Sequence, residues 1–414
     1  MIKLYQHQIK ILSETDTKNK VAYYLDMGLG KTFVGSEKLN RLNSKVNLIV
    51  CQKSKLKDWY EHFTEFYPEY SVYIIKKEIP IIESNEKIIL IINYDLVWRR
   101  PTLLKLREFT LLLDESSMIK NSSSNRTKFI LKLRPKNIIL LSGTPVAGKY
   151  EELYSQIKLL GWNITKKQFY KHYMITVMMN LGGFKKEKVI GYKNIPRLKR
   201  KLREYGAVFL KTDEVFNLPD TEDIEVKVAP PSYYSKFKKD CLITIDGNEL
   251  VGDTSLSKML YERQIVSQYN KNKFDALKDL LESTETRIIV FYNFKSECEK
   301  IKAICNKLNK PISEVNGSIH DLNNYNNTTN SVTLIQYQAG AMGLNLQLSN
   351  IIIYFSLPLQ SDLFEQSKKR THRIGQEKRC LYYYLLTENS IDMKILKALK
   401  EKKDFTDKLF NDRS

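Results

Sequence analysis

The chain has 414 residues, and its 67 lysines and arginines against 47 acidic residues give a formal charge of +20. With 42% hydrophobic and 28% charged residues it has an ordinary composition for a folded protein, which excludes a mostly disordered chain. No apolar run approaches the ~18 residues of a membrane span, and the N-terminal MIKLYQHQIK lacks the apolar core of a signal peptide.

The first half alternates short apolar runs with amphipathic stretches, a pattern typical of a parallel sheet covered by helices on both faces. We predict strands at residues 21–25, 46–50, 71–75, 88–92, 110–114 and 137–141. Helices are predicted between several of them, at 33–42, 54–66 and 122–133 among others. From about residue 161 to residue 217 the pattern loosens, and we expect a small, basic, helical insertion there.

A second alternating set follows. We predict strands at 287–292, 311–315, 332–335, 350–355 and 379–386, helices at 295–308 and 391–402, and a polar loop at 320–330. The expected fold class is therefore α/β, with two α/β units in series: an N-terminal domain at 1–217, which includes the insertion, and a C-terminal domain at 218–414.

A glycine-rich turn, DMGLGKT, follows the first predicted strand. Gly28 and Gly30 would let the backbone direct its N–H groups at phosphates. Lys31 can reach the β- and γ-phosphates, and the Thr32 hydroxyl can bind Mg²⁺. The strict pattern has glycine six residues before the lysine, where this chain has Leu25, and a glycine turn that only starts a helix is the alternative. The order strand, turn, helix favours a nucleotide site.

Two further predicted strands end in residues that suit such a site. TLLLDES ends in Asp114, which would hold Mg²⁺ through water, and Glu115, which would orient or deprotonate the attacking water. NIILL is followed by Ser142, Gly143 and Thr144, whose small polar groups could sense the phosphate through the neighbouring carboxylates. A helix cap and a simple turn are the alternatives for these two segments.

Two arginines stand close together in EQSKKRTHRIGQ, residues 365–376. The spacing of Arg370 and Arg373 puts both guanidinium groups on one face if this stretch is helical. Planar, permanently charged groups suit the charge of a transferring phosphoryl group, whereas a solvated basic helix is the alternative.

These segments together resemble the Swi/Snf-like ATPases, the double-stranded-DNA translocase branch of helicase superfamily two. The similar segments lie in the family's order along nearly the whole chain, and RxHRIGQ is the most specific of them. They are LYQHQ, DMGLGKT, LIVCQKSKLKDWYEHF, LIINYDLV, LLLDESSMIKN, LLSGTPV, EELYS, IVFYNF, AGAMGLNLQLS and EQSKKRTHRIGQ.

The resemblance implies two tandem RecA-like lobes with an ATP cleft between them, and ATP and Mg²⁺ as cofactors. It implies that Tyr5 and Gln6 belong to an adenine-recognition motif and that Gln366 lies beside two arginine fingers, Arg370 and Arg373. By the same resemblance, the nucleic-acid backbone would contact residues that include Lys53, Ser54 and Asn345.

The sequence departs from the family pattern at two positions. Ser117 replaces the usual histidine of the DEAH-like box, and Asp26 replaces the glutamate that usually precedes the glycine turn. Because Asp114 and Glu115 remain, hydrolysis should survive, whereas the contact by which the histidine links nucleotide state to the hold on DNA is left open.

We therefore expect an ATP-driven motor on duplex DNA that holds phosphates without reading bases. The positive charge agrees with this, although AT-rich coding, which favours Lys, Asn, Ile and Tyr, would also produce it. A single-strand DNA or RNA helicase, the motor partner of a nuclease or modification subunit, and a non-hydrolysing DNA-binding scaffold stay open. A protein partner for loading also stays open.

Five scattered cysteines without a CxxC pair favour a reducing compartment and disfavour structural zinc. We expect no membrane partner and a cytoplasmic location, in a bacterial or phage-infected cell.

Overall fold

The computed structural model describes residues 3–77, 86–146, 148–181, 184–337 and 344–410. The chain divides into two compact units, residues 1–215 with 405–414 and residues 216–404. This division lies close to the predicted domain boundary between residues 217 and 218. Within the described ranges, each unit contains one sheet of seven strands.

The first unit begins with a helix and then alternates strands with helices. Its strands are β1 Lys20–Leu25, β2 Val46–Cys51, β3 Tyr70–Ile74, β4 Lys87–Asn93, β5 Thr110–Asp114, β6 Asn137–Ser142, β7 Met174–Leu181, β8 Phe184–Tyr192 and β9 Ala207–Leu210. Its α-helices are α1 Gln6–Glu14, α2 Lys31–Leu42, α3 Leu56–Phe66, α4 Tyr94–Val97, α5 Asn125–Ile130, α6 Tyr154–Leu159, α7 Lys166–Tyr173 and α8 Ile195–Glu204.

The large sheet of this unit has the order β3-β4-β2-β5-β6-β1-β9, and every pair in it is parallel. Each of the six strands predicted from apolar runs is confirmed within one residue at either end. These strands are almost wholly buried, because helices cover both faces of a parallel sheet and leave no solvated side.

The sheet order determines which loops meet. Strands β2, β5, β6 and β1 are neighbours, and parallel strands end at the same edge. Asp114 at the end of β5 pairs in register with Leu141 of β6, and Ser142 pairs with Tyr24 of β1. The segments that follow these strands therefore emerge side by side.

The predicted insertion is present, but it is not purely helical. Helices α7 and α8 flank an antiparallel hairpin of β7 and β8, and β9 then pairs with β1 at the edge of the large sheet. The lysines of β8 suit a helix as single residues, but cross-strand pairing outweighs this weak preference. The Gly-Gly pair at 182–183 in the sequence is a hairpin signal that the helical interpretation missed.

The second unit repeats the alternation. Its strands are β10 Thr221–Val228, β11 Leu242–Ile245, β12 Asn248–Val251, β13 Ile288–Tyr292, β14 Ile312–Val315, β15 His320–Asp321, β16 Val332–Gln336, β17 Ile351–Tyr354 and β18 Cys380–Thr387. Its α-helices are α9 Ser232–Asp240, α10 Ser255–Ser267, α11 Lys271–Glu282, α12 Lys295–Lys307, α13 Asn323–Asn327, α14 Ser361–Lys368 and α15 Ile391–Phe410.

The sheet of the second unit has the order β10-β18-β17-β13-β16-β14-β15, and it is parallel except for its last pair. All five predicted strands of this half are confirmed within one residue at either end. The sequence analysis missed β10, whose exposed and half-buried residues alternate as in an edge strand.

The prediction of a plain polar loop at 320–330 is wrong. The segment contains β15 and α13, and the ring of Tyr325 is 1% exposed. The Tyr325 hydroxyl accepts hydrogen bonds from the backbone N–H groups of Leu348 and Ser349 at 3.0 and 3.3 Å. One buried tyrosine thus anchors a segment whose other residues are mostly asparagine and threonine.

No helix in the described part of the chain has both the length and the apolar character needed to cross a membrane. The same residues contain no group of three or more His, Cys, Asp or Glu side chains arranged for a metal ion.

Candidate active site

The glycine turn after β1 has the backbone geometry of an anion cradle. Gly28 and Gly30 have φ values of 88° and 72°, in the left-handed region that favours glycine. Gly30 caps α2, so the first N–H groups of this helix face the turn. Lys31 donates to the carbonyl oxygens of Leu25 at 2.9 Å and Asp26 at 3.1 Å, which holds its ammonium group over the turn.

A glutamine from α1 supports this turn. Gln8 is 2% exposed, and its Nε2 donates to Leu29 O at 3.2 Å, while its Oε1 accepts from Tyr5 N at 2.9 Å. A Cβ at Gly30 would overlap the Gln8 amide, so this glycine is required for space as well as for φ. Gln6, the residue predicted to contact adenine, is exposed, and that role stays a prediction.

Tyr5, the other residue of the predicted adenine motif, is 57% exposed and stacks on His7 with 5.9 Å between ring centroids. His7 Nε2 lies 3.2 Å from Leu29 O, so this end of α1 also contacts the glycine turn. The structure thus brings the start of the chain to the phosphate turn, as the predicted adenine contact would require.

Two serines converge on one oxygen of Glu115. The hydroxyls of Ser142 and Ser117 donate to Glu115 Oε1 at 2.6 and 2.7 Å. Among the described residues Oε2 has no hydrogen-bond partner. Ser117, the residue in place of the usual histidine, therefore contacts the predicted base directly, and the oxygen that remains is available to a water.

Glu115 is also held by its backbone, with φ of 59° and ψ of 63°. A non-glycine residue in this left-handed region costs about 1–3 kcal/mol, and such strain is concentrated at functional sites. The short helix Ser116–Ile119 follows at once and brings Ser117 back to the Glu115 carboxylate.

Burial raises the pKa of both Asp114 and Glu115 above its ordinary value. The positive charge of Lys31 opposes this effect at both carboxylates. The hydrogen bonds from Ser142 and Ser117 oppose it at Glu115, because a donated hydrogen bond favours the ionised form. The site therefore pairs two half-buried carboxylates with one nearby ammonium group.

Asp114 receives a hydrogen bond from a residue that the sequence analysis did not single out. The indole Nε1 of Trp59 donates to Asp114 Oδ2 at 2.8 Å. The Tyr94 hydroxyl donates to the backbone oxygens of Asp114 and Glu115 at 3.0 and 3.3 Å. The end of β5 is thus fixed by side chains from α3 and α4.

Gln156 joins the DESS and SGTP segments. Its Oε1 accepts from Ser116 Oγ and from Tyr24 OH, both at 2.9 Å, and its Nε2 donates to Pro145 O at 2.8 Å. Gln156 directly follows the EELYS run, which the sequence analysis noted without predicting this contact.

The SGTP turn also approaches the lysine. A Cβ at Gly143 would stand 3.2 Å from Lys31 Nζ, so a larger residue would press on the ammonium group. Thr144 N donates to Ser142 Oγ at 3.1 Å, and Thr144 Oγ1 is a buried oxygen without a hydrogen-bond partner among the described residues.

The donor set of this edge fits a nucleotide with Mg²⁺. It combines the start of the twelve-residue helix α2, the Lys31 ammonium group, the half-buried Thr32 hydroxyl and the Asp114 carboxylate. Oxygen ligands and phosphates are the partners that Mg²⁺ prefers, and helix N-termini bind phosphates. The unpartnered Thr144 hydroxyl adds a further polar group at the same edge.

Asp26, which stands where the family usually has glutamate, has a structural contact. Its Oδ2 accepts from the backbone N–H and the hydroxyl of Thr212 at 3.4 and 3.3 Å, and its N–H donates to Leu210 O at 3.0 Å. Asp26 therefore ties the glycine turn to the segment that follows β9.

In the second unit, the predicted helix over Arg370 and Arg373 is wrong. Helix α14 ends at Lys368, and both arginines lie in the turns that follow. The chain leaves the helix because Arg370 O accepts from Leu346 N at 3.1 Å, and because Gly375 adopts φ of 92°. The sequence signal for this turn was the glycine of RIGQ.

The two guanidinium groups are nevertheless electrostatic neighbours. Arg370 is 4% exposed, and its Nε has no hydrogen-bond partner among the described residues. Burial, and secondly the charge of Arg373, lower the pKa of Arg370 to about 10. Burial also lowers the pKa of Arg373. Two cationic groups destabilised in this way would be stabilised by an anion.

The predicted nucleic-acid contacts have different environments. Lys53 and Ser54 are exposed on a short turn after β2, at the sheet edge where Asp114 lies. Asn345 is exposed, and its Oδ1 accepts from Arg373 Nη1. The first part of AGAMGLNLQLS, residues 338–343, lies outside the described residues. Gln366 is half-buried on α14.

Comparison with known proteins decides the family. Residues 7–286 match the SNF2-related domain. The chain belongs to the SNF2-related family. Residues 272–375 of this SNF2-related chain also match the Helicase conserved C-terminal domain. The resemblance to Swi/Snf-like ATPases is thus confirmed.

Several curated relatives are similar over most of this SNF2-related chain. The ISWI chromatin-remodeling complex ATPase ISW1 of Saccharomyces cerevisiae is 22% identical over 93% of the chain, which covers 38% of that protein. An uncharacterized ATP-dependent helicase of Mycoplasma genitalium is 24% identical over 92% of the chain, which covers 39% of it. For the SWI/SNF-related matrix-associated actin-dependent regulator of chromatin subfamily A-like protein 1 of Xenopus tropicalis the values are 24%, 91% and 42%. The chain thus spans about two fifths of the length of these relatives.

A solved structure, the Sulfolobus solfataricus SWI2/SNF2 ATPase core in complex with dsDNA, is 22% identical to this SNF2-related chain, with a TM-score of 0.45. The comparison covers 98% of this chain and 92% of that one.

Proposed function

We propose that this SNF2-related chain hydrolyses ATP to move along duplex DNA, and that this movement remodels DNA or protein–DNA complexes. The observation that carries the proposal is the convergence of Lys31, Glu115 and Ser142 at one sheet edge, with two hydroxyl donors on a single carboxylate oxygen. A non-hydrolysing scaffold has no need of a carboxylate held in that way.

Lys31 and the start of α2 would bind the phosphates of ATP. On binding, the Lys31 ammonium group would exchange the carbonyl oxygens of Leu25 and Asp26 for phosphate oxygens. Because carbonyl oxygens carry only partial charge, the phosphates would be the stronger partners. Gly143 leaves the space that this movement of the lysine requires.

Thr32 and Asp114 would hold Mg²⁺, which would neutralise phosphate charge when bound. Glu115 would orient a water with Oε2 and accept its proton, while Ser117 and Ser142 keep Oε1 in place. Ser142 would thereby report the state of the site to the SGTP turn and, through Thr144 and Gln156, to the segments around it.

We further propose that Arg370 and Arg373 of the second unit act on the charge that develops during phosphoryl transfer. The buried and unpartnered Nε of Arg370 supports this role, because an arginine without a carboxylate needs another anion. Binding and loss of that shared charge would alternately favour two arrangements of the lobes, which is the basis of movement.

Duplex DNA is the proposed track. Lys53 and Ser54 on their exposed turn, Asn345, and the overall charge of +20 would provide a hold on phosphates that does not depend on sequence. The name of the archaeal neighbour, which includes dsDNA, and the remodelling titles of the curated relatives support this choice. We propose a bacterial or phage-infected cytoplasm as the location, which the Mycoplasma relative supports, and a partner protein for loading.

The test is ATP hydrolysis measured with duplex DNA, single-stranded DNA, RNA or no nucleic acid, together with ATP-dependent displacement of a third strand from a duplex. Strong stimulation by duplex DNA and third-strand displacement are expected. Stimulation by single strands alone would favour a strand-separating helicase. DNA binding without any ATP hydrolysis would favour the scaffold.

A further inference from the structure

A buried tryptophan connects the candidate metal carboxylate to helix α3. Trp59 is 1% exposed, and its indole N–H donates to Asp114 Oδ2 at 2.8 Å. Helix α3 begins directly after the short exposed turn Lys53–Lys55, which carries two of the predicted DNA contacts. Only one turn of helix separates Lys55 from Trp59, since an α-helix has 3.6 residues per turn.

The same helix is packed against the helix of the phosphate turn. Trp59 stacks on Phe63 with 5.9 Å between ring centroids, and His62 meets the edges of both rings. His62 Nε2 lies 2.8 Å from Ser36 Oγ of α2. Because interiors are close-packed, α3 cannot shift without moving the indole relative to β5 and α2.

The turn before α3 also acts on the carboxylate through its charge. Lys55 forms an ion pair with Asp58 at 2.6 Å, and its positive charge is one of those that stabilise ionised Asp114. Two independent interactions, one a hydrogen bond and one electrostatic, thus connect the segment 53–59 to the same carboxylate.

We propose that Trp59 is a positioning residue that couples DNA contact at the Lys53–Lys55 turn to the orientation of Asp114. By occupying Oδ2, the indole N–H determines which way the carboxylate faces. A phosphate of the duplex at the turn would shift α3 and with it the indole, so that the carboxylate reaches its productive orientation when DNA is bound. This inference rests on the proposed function, and it adds a route by which the track stimulates hydrolysis.

The kinetic test compares Trp59→Phe with Trp162→Phe. Phenylalanine keeps an aromatic ring but removes the N–H donor. Trp162 is the matched control, because it is a buried tryptophan of the same unit, 9% exposed, that stacks on Tyr205. For Trp59→Phe we expect kcat with duplex DNA to fall about tenfold, and the Mg²⁺ concentration for half-maximal rate to rise, with the KM for ATP unchanged within about twofold.

Trp162→Phe should lower the melting temperature by a similar amount and leave the stimulation by DNA unchanged. Equal losses of stimulation in the two variants would overturn the coupling role, because a packing defect alone would then explain both.

The spectroscopic test keeps Trp59 in place and does not depend on turnover. The chain has three tryptophans, so Trp98→Phe with Trp162→Phe leaves Trp59 as the sole indole. We expect its fluorescence to change when Mg²⁺ is added with a non-hydrolysable ATP analogue, and again when duplex DNA is added. Asp114→Asn in this background should reduce the first response, because the carboxylate partner is lost.

The outcomes separate this inference from the proposed function. Duplex-stimulated hydrolysis with an indole that responds to neither addition would overturn the inference and leave the motor intact. Absence of ATP hydrolysis in the unsubstituted chain, with and without duplex DNA, would overturn the motor itself.

Discussion

The substitution Ser117→Ala tests whether the departure from the family pattern is functional. It removes one of the two hydroxyls that donate to Glu115 Oε1 and leaves Ser142, at 2.6 Å, as the remaining donor. The carboxylate would then be free to rotate about the bond that the two donors together restrain. We expect a lower rate of hydrolysis with little change in ATP binding, because Ser117 contacts the predicted base.

The size of the effect follows from the charge on the acceptor. A hydrogen bond to a charged group contributes about 1.5–3 kcal/mol, and water and Ser142 would compensate in part. Taking about 1.5 kcal/mol, the pKa of Glu115 would rise by about one unit, since one unit corresponds to about 1.4 kcal/mol. Burial already raises this pKa, and the Ser117 hydrogen bond opposes the rise, so the loss of that bond adds to the direction set by burial.

The sign of the pH dependence follows. A base must be ionised to accept a proton, so activity is lost as the pH falls through the pKa of Glu115. In Ser117→Ala this acidic limb should lie about one unit higher, with about tenfold less activity below it. Well above both pKa values the two rates should converge, except for the loss of orientation.

The assay is kcat for ATP against pH at saturating duplex DNA. Ser117→Thr, which keeps a hydroxyl, should restore the original limb. Ser123→Ala is the matched control, because Ser123 is an exposed serine of the same loop that bonds Asn121 at 2.7 Å. If Ser117→Ala keeps the kcat and the acidic limb of the unsubstituted chain, Ser117 has no part in holding Glu115.

Four further outcomes follow from the same site. Lys31→Ala or Glu115→Gln should abolish turnover while binding to duplex DNA persists, and near-normal hydrolysis in either variant would refute the site assignment. Arg373→Ala should lower kcat more than it weakens ATP binding, measured by fluorescent-nucleotide titration, because its target is transition-state charge; equal losses would argue against this role. Raising salt from 50 to 200 mM should weaken duplex binding about tenfold if two phosphates are neutralised, whereas a flat response would exclude a phosphate hold. Gly30→Ala should lower the melting temperature by several degrees and weaken ATP binding, because a left-handed alanine costs about 1–2 kcal/mol and its Cβ overlaps the Gln8 amide; an unchanged melting temperature would contradict this.

The buried strands could be predicted from the sequence because burial on both faces demands continuous apolar runs. TLLLD and NIILL are such runs, and each strand lies within one residue of its predicted position. The edge strands could not be found in this way. In β10 polar and apolar residues alternate, and β9 lies in a basic segment whose composition suggested helices.

The side chains that carry the site were predictable where a local motif determines their place. Lys31, Asp114 and Ser142 each follow a buried strand, so the parallel order alone brings them to one edge. Gln8, Trp59 and Gln156 could not be found, because their contacts depend on how whole helices pack on the sheet. For Arg370 and Arg373, a periodicity argument failed because the glycine two residues after the second arginine favours a turn.

The order of four neighbouring strands explains why one edge can link nucleotide, catalysis and track. Strand β1 leads to the phosphate turn, β5 ends in the carboxylates, β6 ends in the serine that holds one of them, and β2 leads to the exposed lysine turn. Since β5 lies between β2 and β6, its carboxylates receive donors from both sides, with Trp59 acting on Asp114 and Ser142 on Glu115. A change on either side should therefore reach the water-activating group through a single hydrogen bond. It follows that Trp59→Phe and Ser142→Ala should impair hydrolysis by separate routes, and their effects on kcat should multiply unless the two carboxylates move as one unit.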